Sequence, residues 1–235
     1  MSSAAAIPVR EIREEPDSPA QIYLQPVAAP SILGLYGFAG ATFMVAAHMA
    51  HWFGGARTDL YLAPFAALFG GVAQFTAGMW SYKARDGVAS AMHGMWGAFW
   101  IAFGLLELAI MEGVLPAPGP AFPALGYWFI VLAAITWMGM VAAGAESKAL
   151  SAVLFFLAAG STCAAIAYLI GSDGWTVAAG YFFIASAFVA WYTASALMFE
   201  GAFKHPVWSV GKPARVRQEP TLMPGRGEPG VIRGQ

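Results

Sequence analysis

Three kinds of side chain in the apolar part of this chain could carry chemistry: a carboxylate, a pair of histidines and an amide. Glu107 lies five residues before Glu112, which ends an apolar run, while His48 and His51 are three residues apart. Gln74 lies in the middle of another apolar run. A carboxylate or an imidazole can take up and release a proton, and an amide can both donate and accept hydrogen bonds. The set could therefore move protons or contact a polar solute.

Each of these side chains also has a plainer interpretation. A charged group at the centre of a membrane helix costs ~2.5–3.5 kcal/mol, so Glu107 could instead reach the lipid headgroups or be protonated against a neighbour. Two histidines three residues apart share a helix face and could ligate a metal or haem. Only His93 and His205 remain as further histidines, so we predict neither a metal nor another cofactor. His48 and Glu107 are expected at similar depth and could meet.

The composition excludes several classes of protein. Hydrophobic residues make up 59% of the chain and charged residues 11%, whereas soluble domains have about 25% charged residues. The net charge of −1 gives no indication of a nucleic-acid partner. No nucleotide-binding loop, nucleophile triad or series of intramembrane carboxylates is present, so neither an enzyme nor an ATP-driven pump is indicated. The single cysteine, Cys163, lies in an apolar run and is expected to pack between helices.

The charged residues divide the chain into six apolar runs, each close to the ~20 residues that span a bilayer. Only ten charged side chains occur between Leu33 and Phe199, and most are bunched. We predict an all-α integral membrane protein, because a helix satisfies its own backbone hydrogen bonds in lipid. The alternating strands of a membrane barrel are absent. The predicted spans are 31–53, 60–80, 89–112, 123–145, 149–171 and 174–199.

The distribution of basic residues predicts the orientation. With six spans, both tails lie on one side together with the second and fourth loops, and eleven of the twelve Lys and Arg residues fall there. Positive charge stays cytoplasmic, so both termini are predicted to face the cytoplasm. Residues 1–28 lack the basic stretch and short apolar core of a secretory signal. We predict disordered cytoplasmic tails at 1–28 and 204–235, around a transmembrane domain at 29–203.

Glycines recur along the first three runs at spacings that favour close helix packing. In lipid, helices associate through close van der Waals contact, which glycine permits. This packing could occur within one subunit or between subunits. The glycines concerned are Gly34, Gly37, Gly40, Gly70, Gly71, Gly78, Gly94, Gly97 and Gly104.

The stretch Gly70–Trp100 resembles the acetate/succinate transporter family (AceTr, the YaaH type). Its members share a GG-[IV]-AQ-x(2)-AG run, an aromatic–Lys pair and a Tyr-Gly-x-Phe-Trp element. The matching residues here are Gly70, Gly71, Ala73, Gln74, Ala77, Gly78, Tyr82, Lys83, Gly97, Phe99 and Trp100. The closing segment PVWSVG is also similar, so the resemblance covers about residues 29–211.

The family's first-helix signature, N-P-[AV]-P-[LF]-G-L-x-[GSA]-F, is only partly kept. Pro30, Gly34, Leu35, Gly37 and Phe38 match, whereas the asparagine, the small aliphatic residue and the second proline are replaced. The resemblance implies a hexamer whose subunits each hold a conduction path. It also implies a constriction formed by Phe38 and by the tyrosine position, which is Trp96 here, and it places the family's first-helix histidine at His48.

These observations predict a transporter or channel for acetate or a similar small monocarboxylate, with succinate also considered, in the inner (plasma) membrane. The path is expected to be lined by Phe38, Trp96, Gln74 and Phe99, with His48 or Glu107 coupling transport to protons. Two alternatives stay open. One is channel-like transport of another small solute such as ammonia or ammonium, and the other is a membrane scaffold or sensor without transport.

Overall fold

The structure of the chain, a computed structural model, describes residues 27–55 and 57–212. Six helices in this part are long and apolar enough to cross a bilayer, and it contains no strand. This confirms the predicted all-α class and the number of spans. The helices are α1 (Ser31–Met49), α2 (Thr58–Lys83), α3 (Gly87–Met111), α4 (Pro123–Ala143), α5 (Lys148–Ile170) and α6 (Asp173–Phe203).

Local chemistry explains three of the helix boundaries. Asp86 caps α3 by accepting a hydrogen bond from the Ala89 N–H at 2.8 Å, and Ser147 caps α5 by accepting one from the Leu150 N–H at 3.3 Å. These caps satisfy N–H groups that have no partner within the helix. Gly171 ends α5 with a φ of 66°, a conformation that glycine adopts without steric cost.

The first helix is shorter than predicted, and this separates the two histidines. Helix α1 ends at Met49 rather than near residue 53, and His51 follows in a left-handed conformation with a φ of 59°. His48 is therefore helical, whereas His51 lies in the following turn. The expectation that both share one helix face is wrong, since the helix ends between them.

Five helices form a ring, and the sixth packs outside it. Helices α1, α6, α5, α4 and α3 contact one another in that order, and α3 returns to α1. Helix α2 packs only against α1 and α3 among the described residues. Many large apolar side chains on the outer surface are exposed, including Tyr127 at 66% and Val141 at 65%, as expected for a surface in contact with lipid.

Glycines bring α2 close to its two neighbours. A Cβ added to Gly97 would lie 2.5 Å from the Phe75 backbone nitrogen, and one on Gly78 would lie 2.5 Å from the Gly94 nitrogen. A Cβ on Gly37 would lie 2.6 Å from the carbonyl oxygen of Phe69. Packing within one subunit is thus observed for these positions. Within α2, the segment Phe65–Ala73 is π-helical, a form with a wider turn than the α-helix.

We call the end of the ring that holds Ser31, Asp86 and Glu146 the tail end, and the end that holds His48, Asp59 and Asp173 the far end. At the tail end, the segment 208–211 is docked rather than free. Val210 and Gly211 accept hydrogen bonds from the Ala149 and Lys148 N–H groups at 3.1 and 3.2 Å.

The docked segment lies within residues 204–235, for which the sequence predicts a disordered tail. It satisfies backbone donors in the first turn of α5, and Trp208 stacks on Tyr192 with 5.3 Å between ring centroids. Residues 213–235, like 1–26 of the predicted N-terminal tail, lie outside the described residues.

Candidate solute path

Two small cavities lie inside the ring, one toward each end. The tail-end cavity has a volume of about 40 Å³, and its lining includes Leu35, Met92 and Leu154. The far-end cavity has a volume of about 20 Å³ and is lined by all five ring helices. Its lining residues are Thr42, Val45, Ala46, Met49, Trp96, Phe99, Trp100, Phe103, Phe129, Leu157, Tyr168 and Phe183.

Phe38 and Trp96 lie where the two cavities would join. Phe38 is one helical turn from Leu35, which lines the tail-end cavity, and one turn from Thr42, which lines the far-end cavity. Phe38 and Trp96 belong to one buried apolar cluster, and each is only 2% exposed. This places both residues between the cavities.

The indole of Trp96 is held in place by a hydrogen bond. Its Nε1–H donates to Thr136 Oγ1 at 3.1 Å, and the Thr136 hydroxyl donates to the Leu132 carbonyl at 2.6 Å. The ring therefore has one fixed orientation across the interior. Sequence alone does not show which indole this threonine contacts.

Phe99 is the centre of an aromatic cluster on the far side of Trp96. Its ring centroid lies 5.2 Å from that of Trp96, 5.4 Å from that of Trp100 and 5.4 Å from that of Phe129. Such edge-on contacts are favourable beyond the area that they bury. Phe99 also lines the far-end cavity, at a position that the family resemblance predicts for the path.

Two buried polar groups in the lining of the far-end cavity have no partner. The Oγ1 of Thr42 and the Nε1–H of Trp100 are without hydrogen-bond partners among the described residues. Buried donors and acceptors are normally paired, and an unpaired one costs free energy. The cavity holds little more than one water molecule. The conformation described is therefore closed to larger solutes.

Gln74 lies away from both cavities. Its side chain is 3% exposed, and its Oε1 has no partner in the described part of the chain. Because α2 packs outside the ring, Gln74 lines neither the tail-end nor the far-end cavity. Its predicted role in lining the path stays a prediction.

At the far end, His48 pairs with Asp59 rather than with Glu107. The distance from His48 Nε2 to Asp59 Oδ1 is 3.3 Å, and His48 Nδ1 lies 3.2 Å from the Phe53 carbonyl oxygen. Both contacts can be hydrogen bonds only when both ring nitrogens carry protons. Glu107 is half-buried and lies within electrostatic range of Asp59. Sequence analysis missed Asp59 because it resembled an ordinary loop charge.

At the tail end, two carboxylates and a histidine line the cavity. Asp86 and Glu146 are half-buried, and His93 is 5% exposed with its Nδ1 unpartnered in the described residues. Burial, and then the negative charge of Asp86, raise the pKa of Glu146. None of the three residues was predicted to belong to a site.

The remaining family-motif residues divide between lining and packing. Leu35 lines the tail-end cavity and Trp100 the far-end cavity. Pro30 precedes the first turn of α1. Gly34 lies against the ring of His93, where a Cβ would be 2.6 Å away, and Gly37 and Gly97 contact α2. Within residues 27–55 and 57–212, no group of three or more His, Cys, Asp or Glu side chains could hold a metal ion.

The fold and the cavity linings define a polytopic helical membrane protein whose interior is filled largely by aromatic side chains. The particular family follows from comparison with known proteins. The model of the GPR1/FUN34/yaaH family matches residues 14–209, and the chain belongs to this family.

Three of the proteins to which the chain is similar have transport names. The chain is 28% identical over 172 residues to the "Ammonia transport outward protein 2" of Saccharomyces cerevisiae, covering 72% of the chain and 61% of that protein. It therefore spans about three fifths of that protein's length. It is 26% identical over 196 residues to the "Acetate transporter protein patA" of Aspergillus clavatus, covering 76% of each. It is 29% identical over 104 residues to the "Succinate-acetate/proton symporter SatP" of Escherichia coli K12, covering 43% of the chain and 54% of the symporter.

A solved structure shares the fold. The structure of the bacterial acetate channel SatP superposes with a TM-score of 0.73 at 24% sequence identity, covering 79% of this chain and all of that chain. At this identity the similarity shows a common fold.

Proposed function

We propose that this protein moves acetate or a similar small monocarboxylate across a membrane. The observation that carries the proposal is the far-end cavity, an aromatic chamber in which the Thr42 hydroxyl and the Trp100 N–H lack partners. Two donors at the edge of an apolar chamber suit a carboxyl group with a short apolar tail. The names of the acetate transporter and the succinate-acetate/proton symporter support the same solute class.

Proton coupling follows from the cost of moving an anion through this interior. A small carboxylic acid has a pKa close to that of a carboxyl side chain, about 4, so it is mostly ionised at neutral pH. An anion in an apolar chamber without a countercharge is strongly disfavoured. We propose that His48, Asp59 and Glu107 at the far end exchange the proton that accompanies the solute.

The proposal also includes the membrane in which the protein lies, its orientation and its assembly. The inner (plasma) membrane, cytoplasmic tails and a hexameric assembly are expected from the charge distribution and the family resemblance. Phe38 and Trp96 then act as the closure of each subunit's own path. Transport requires these rings to move, because the present cavities are too small for acetate.

The test is uptake of radiolabelled acetate into liposomes that contain the purified protein. Replacing Trp100 by Phe keeps the aromatic packing and removes one donor, so we expect several-fold weaker apparent affinity for acetate. Trp191→Phe is the matched control, because Trp191 is 51% exposed on the outer surface. Absence of uptake by the unaltered protein would contradict the proposal, and an equal effect of the two variants would contradict the role of Trp100.

Ammonium transport is the second candidate, since one relative is named for ammonia transport. A competition series with propionate, succinate and ammonium separates the two candidates. Inhibition by short acids alone supports the monocarboxylate, whereas ammonium-driven changes of internal pH without acetate uptake support the alternative. A scaffold or sensor would give neither signal.

A further inference from the structure

The hydrogen bond between Trp96 and Thr136 crosses the interior of the ring. Trp96 belongs to α3 and Thr136 to α4, and the indole Nε1–H donates to Thr136 Oγ1 at 3.1 Å. Among the described residues, no other hydrogen bond joins α3 to another helix of the ring. The backbones of α3 and α4 stay apart along most of their length. The position of the Trp96 ring between them therefore depends on one polar contact.

The two side chains fit together in only one sense. An indole has a single N–H and no acceptor. The Thr136 hydroxyl donates its own hydrogen to the Leu132 carbonyl oxygen at 2.6 Å, so its oxygen is free to accept from the indole. Turning the Trp96 ring over would move its N–H away from Thr136. Because an unpaired buried donor costs free energy, the observed orientation is favoured.

Burial gives this hydrogen bond its importance. Thr136 is fully buried and Trp96 is 2% exposed, and a hydrogen bond in such a low-dielectric setting is stronger than the same bond in water. Trp96 lies between the two cavities, and both cavities are too small for acetate. A solute that crosses the ring must therefore move the Trp96 side chain, and this bond must break.

We propose that Thr136 is a positioning residue of the solute path, which holds the Trp96 ring across the interior and keeps the path closed. The path opens when the indole N–H leaves Thr136 Oγ1 and the ring turns aside. This inference rests on the proposed function, because it concerns the closure of the same path. The strength of one hydrogen bond then determines how often the path opens and how large a solute passes.

The outer surface has a chemically matched pair. The Trp137 Nε1–H donates to Thr162 Oγ1 at 3.3 Å, and the Thr162 hydroxyl donates to the Ala158 carbonyl oxygen at 2.9 Å. The order of donors and acceptors is the same as at Trp96, but Thr162 is exposed and lines neither cavity. Thr162→Val therefore controls for the loss of an indole–threonine hydrogen bond away from the path.

The first experiment compares radiolabelled propionate with radiolabelled acetate in uptake by liposomes that contain the purified protein. Thr136→Val keeps the shape of the side chain and removes the acceptor. We expect the ratio of propionate to acetate uptake to rise about threefold to tenfold, the effect of one hydrogen bond on an equilibrium. Thr136→Ser keeps the hydroxyl and should restore the original ratio, and Thr162→Val should leave it unchanged. Loss of folded protein lowers both rates alike, so the ratio reports the closure.

The second experiment follows the Trp96 N–H itself and does not require transport. Exchange of indole hydrogens with deuterated water is measured by NMR on the full chain in detergent, with isotope-labelled tryptophan, and Trp96→Phe assigns the signal. Hydrogen exchange of a buried group reports how often its surroundings open. We expect exchange at Trp96 to be about threefold to tenfold faster in Thr136→Val. Exchange at Trp100, which is buried without a partner in the described part of the chain, should not change.

The outcomes separate this inference from the proposed function. Lack of acetate uptake by the unaltered protein contradicts the proposed function, and exchange at Trp96 then decides whether Thr136 holds the ring. Unchanged exchange at Trp96 in Thr136→Val would overturn the inference, as would equal acceleration at Trp100, which indicates a general loss of packing. In a protein that takes up acetate, an unchanged ratio in Thr136→Val or an equal change in Thr162→Val would also overturn it.

Discussion

At the scale of single residues, the interior is closed by aromatic rings, one of which is held by a hydrogen bond. The Trp96 indole is fixed by Thr136, and its ring contacts Phe99. The charged and titratable side chains associated with the cavities lie toward the two ends of the ring. We therefore expect the middle of the proposed path to select by size and by hydrogen bonding to Thr42 and Trp100, and charge to act at the entrances.

The role of Glu107 in proton coupling can be tested by removing its charge. Glu107→Gln keeps the shape of the side chain but cannot titrate, so we expect acetate uptake into liposomes to lose part of its pH dependence. Glu112→Gln, five residues later and at the end of α3, is the control and should leave the profile unchanged. An unaltered profile for Glu107→Gln would contradict its role.

At the scale of elements, α2 packs against α1 and α3 from outside the ring and lines neither cavity. Its contact with α3 depends on glycines that leave no room for a side chain. This arrangement explains why Gln74 is buried yet lies in neither cavity. The docked segment 208–211 has a similar supporting role at the tail end, because it binds the first turn of α5 next to Glu146.

The α2–α3 contact gives a stability prediction. In Gly97→Ala the new Cβ would lie 2.5 Å from the Phe75 backbone nitrogen, and overpacking of this kind costs about 1–3 kcal/mol. We expect a lower unfolding temperature in detergent. Gly87→Ala, on the same helix with nothing within 4 Å of the new Cβ, should unfold at the original temperature or above it. Equal unfolding temperatures for the two variants would contradict the packing argument.

At the scale of the whole molecule, the two ends of the ring differ in chemistry. The far end has the His48–Asp59 pair, and at the tail end Asp86 and Glu146, which form no ion pair with any described residue, line a cavity with a buried histidine. The two ends differ, so the orientation of the protein in the membrane determines which set of side chains faces each compartment.

The predicted orientation can be measured by cysteine labelling. In a Cys163→Ala background, we expect a membrane-impermeant maleimide added to intact cells to label Gly119→Cys in the α3–α4 connection. His205→Cys, which follows α6, should react only after the cells are opened, because eleven of twelve basic residues are predicted to be cytoplasmic. Labelling of His205→Cys in intact cells would reverse the orientation.

The sequence by itself determined the six membrane helices, the family and the signature positions Phe38, Trp96 and Phe99. Hydropathy and charge can be read from each stretch of the sequence, and an apolar stretch of about 20 residues is long enough to span a bilayer as a helix. The tertiary structure decided that Asp59 is the partner of His48, that Gln74 lies outside the ring, that Trp208–Gly211 docks, and that Asp86, His93 and Glu146 share a cavity. These features depend on which helix faces meet. Helices that are apolar on all sides have no polar face to indicate this in advance.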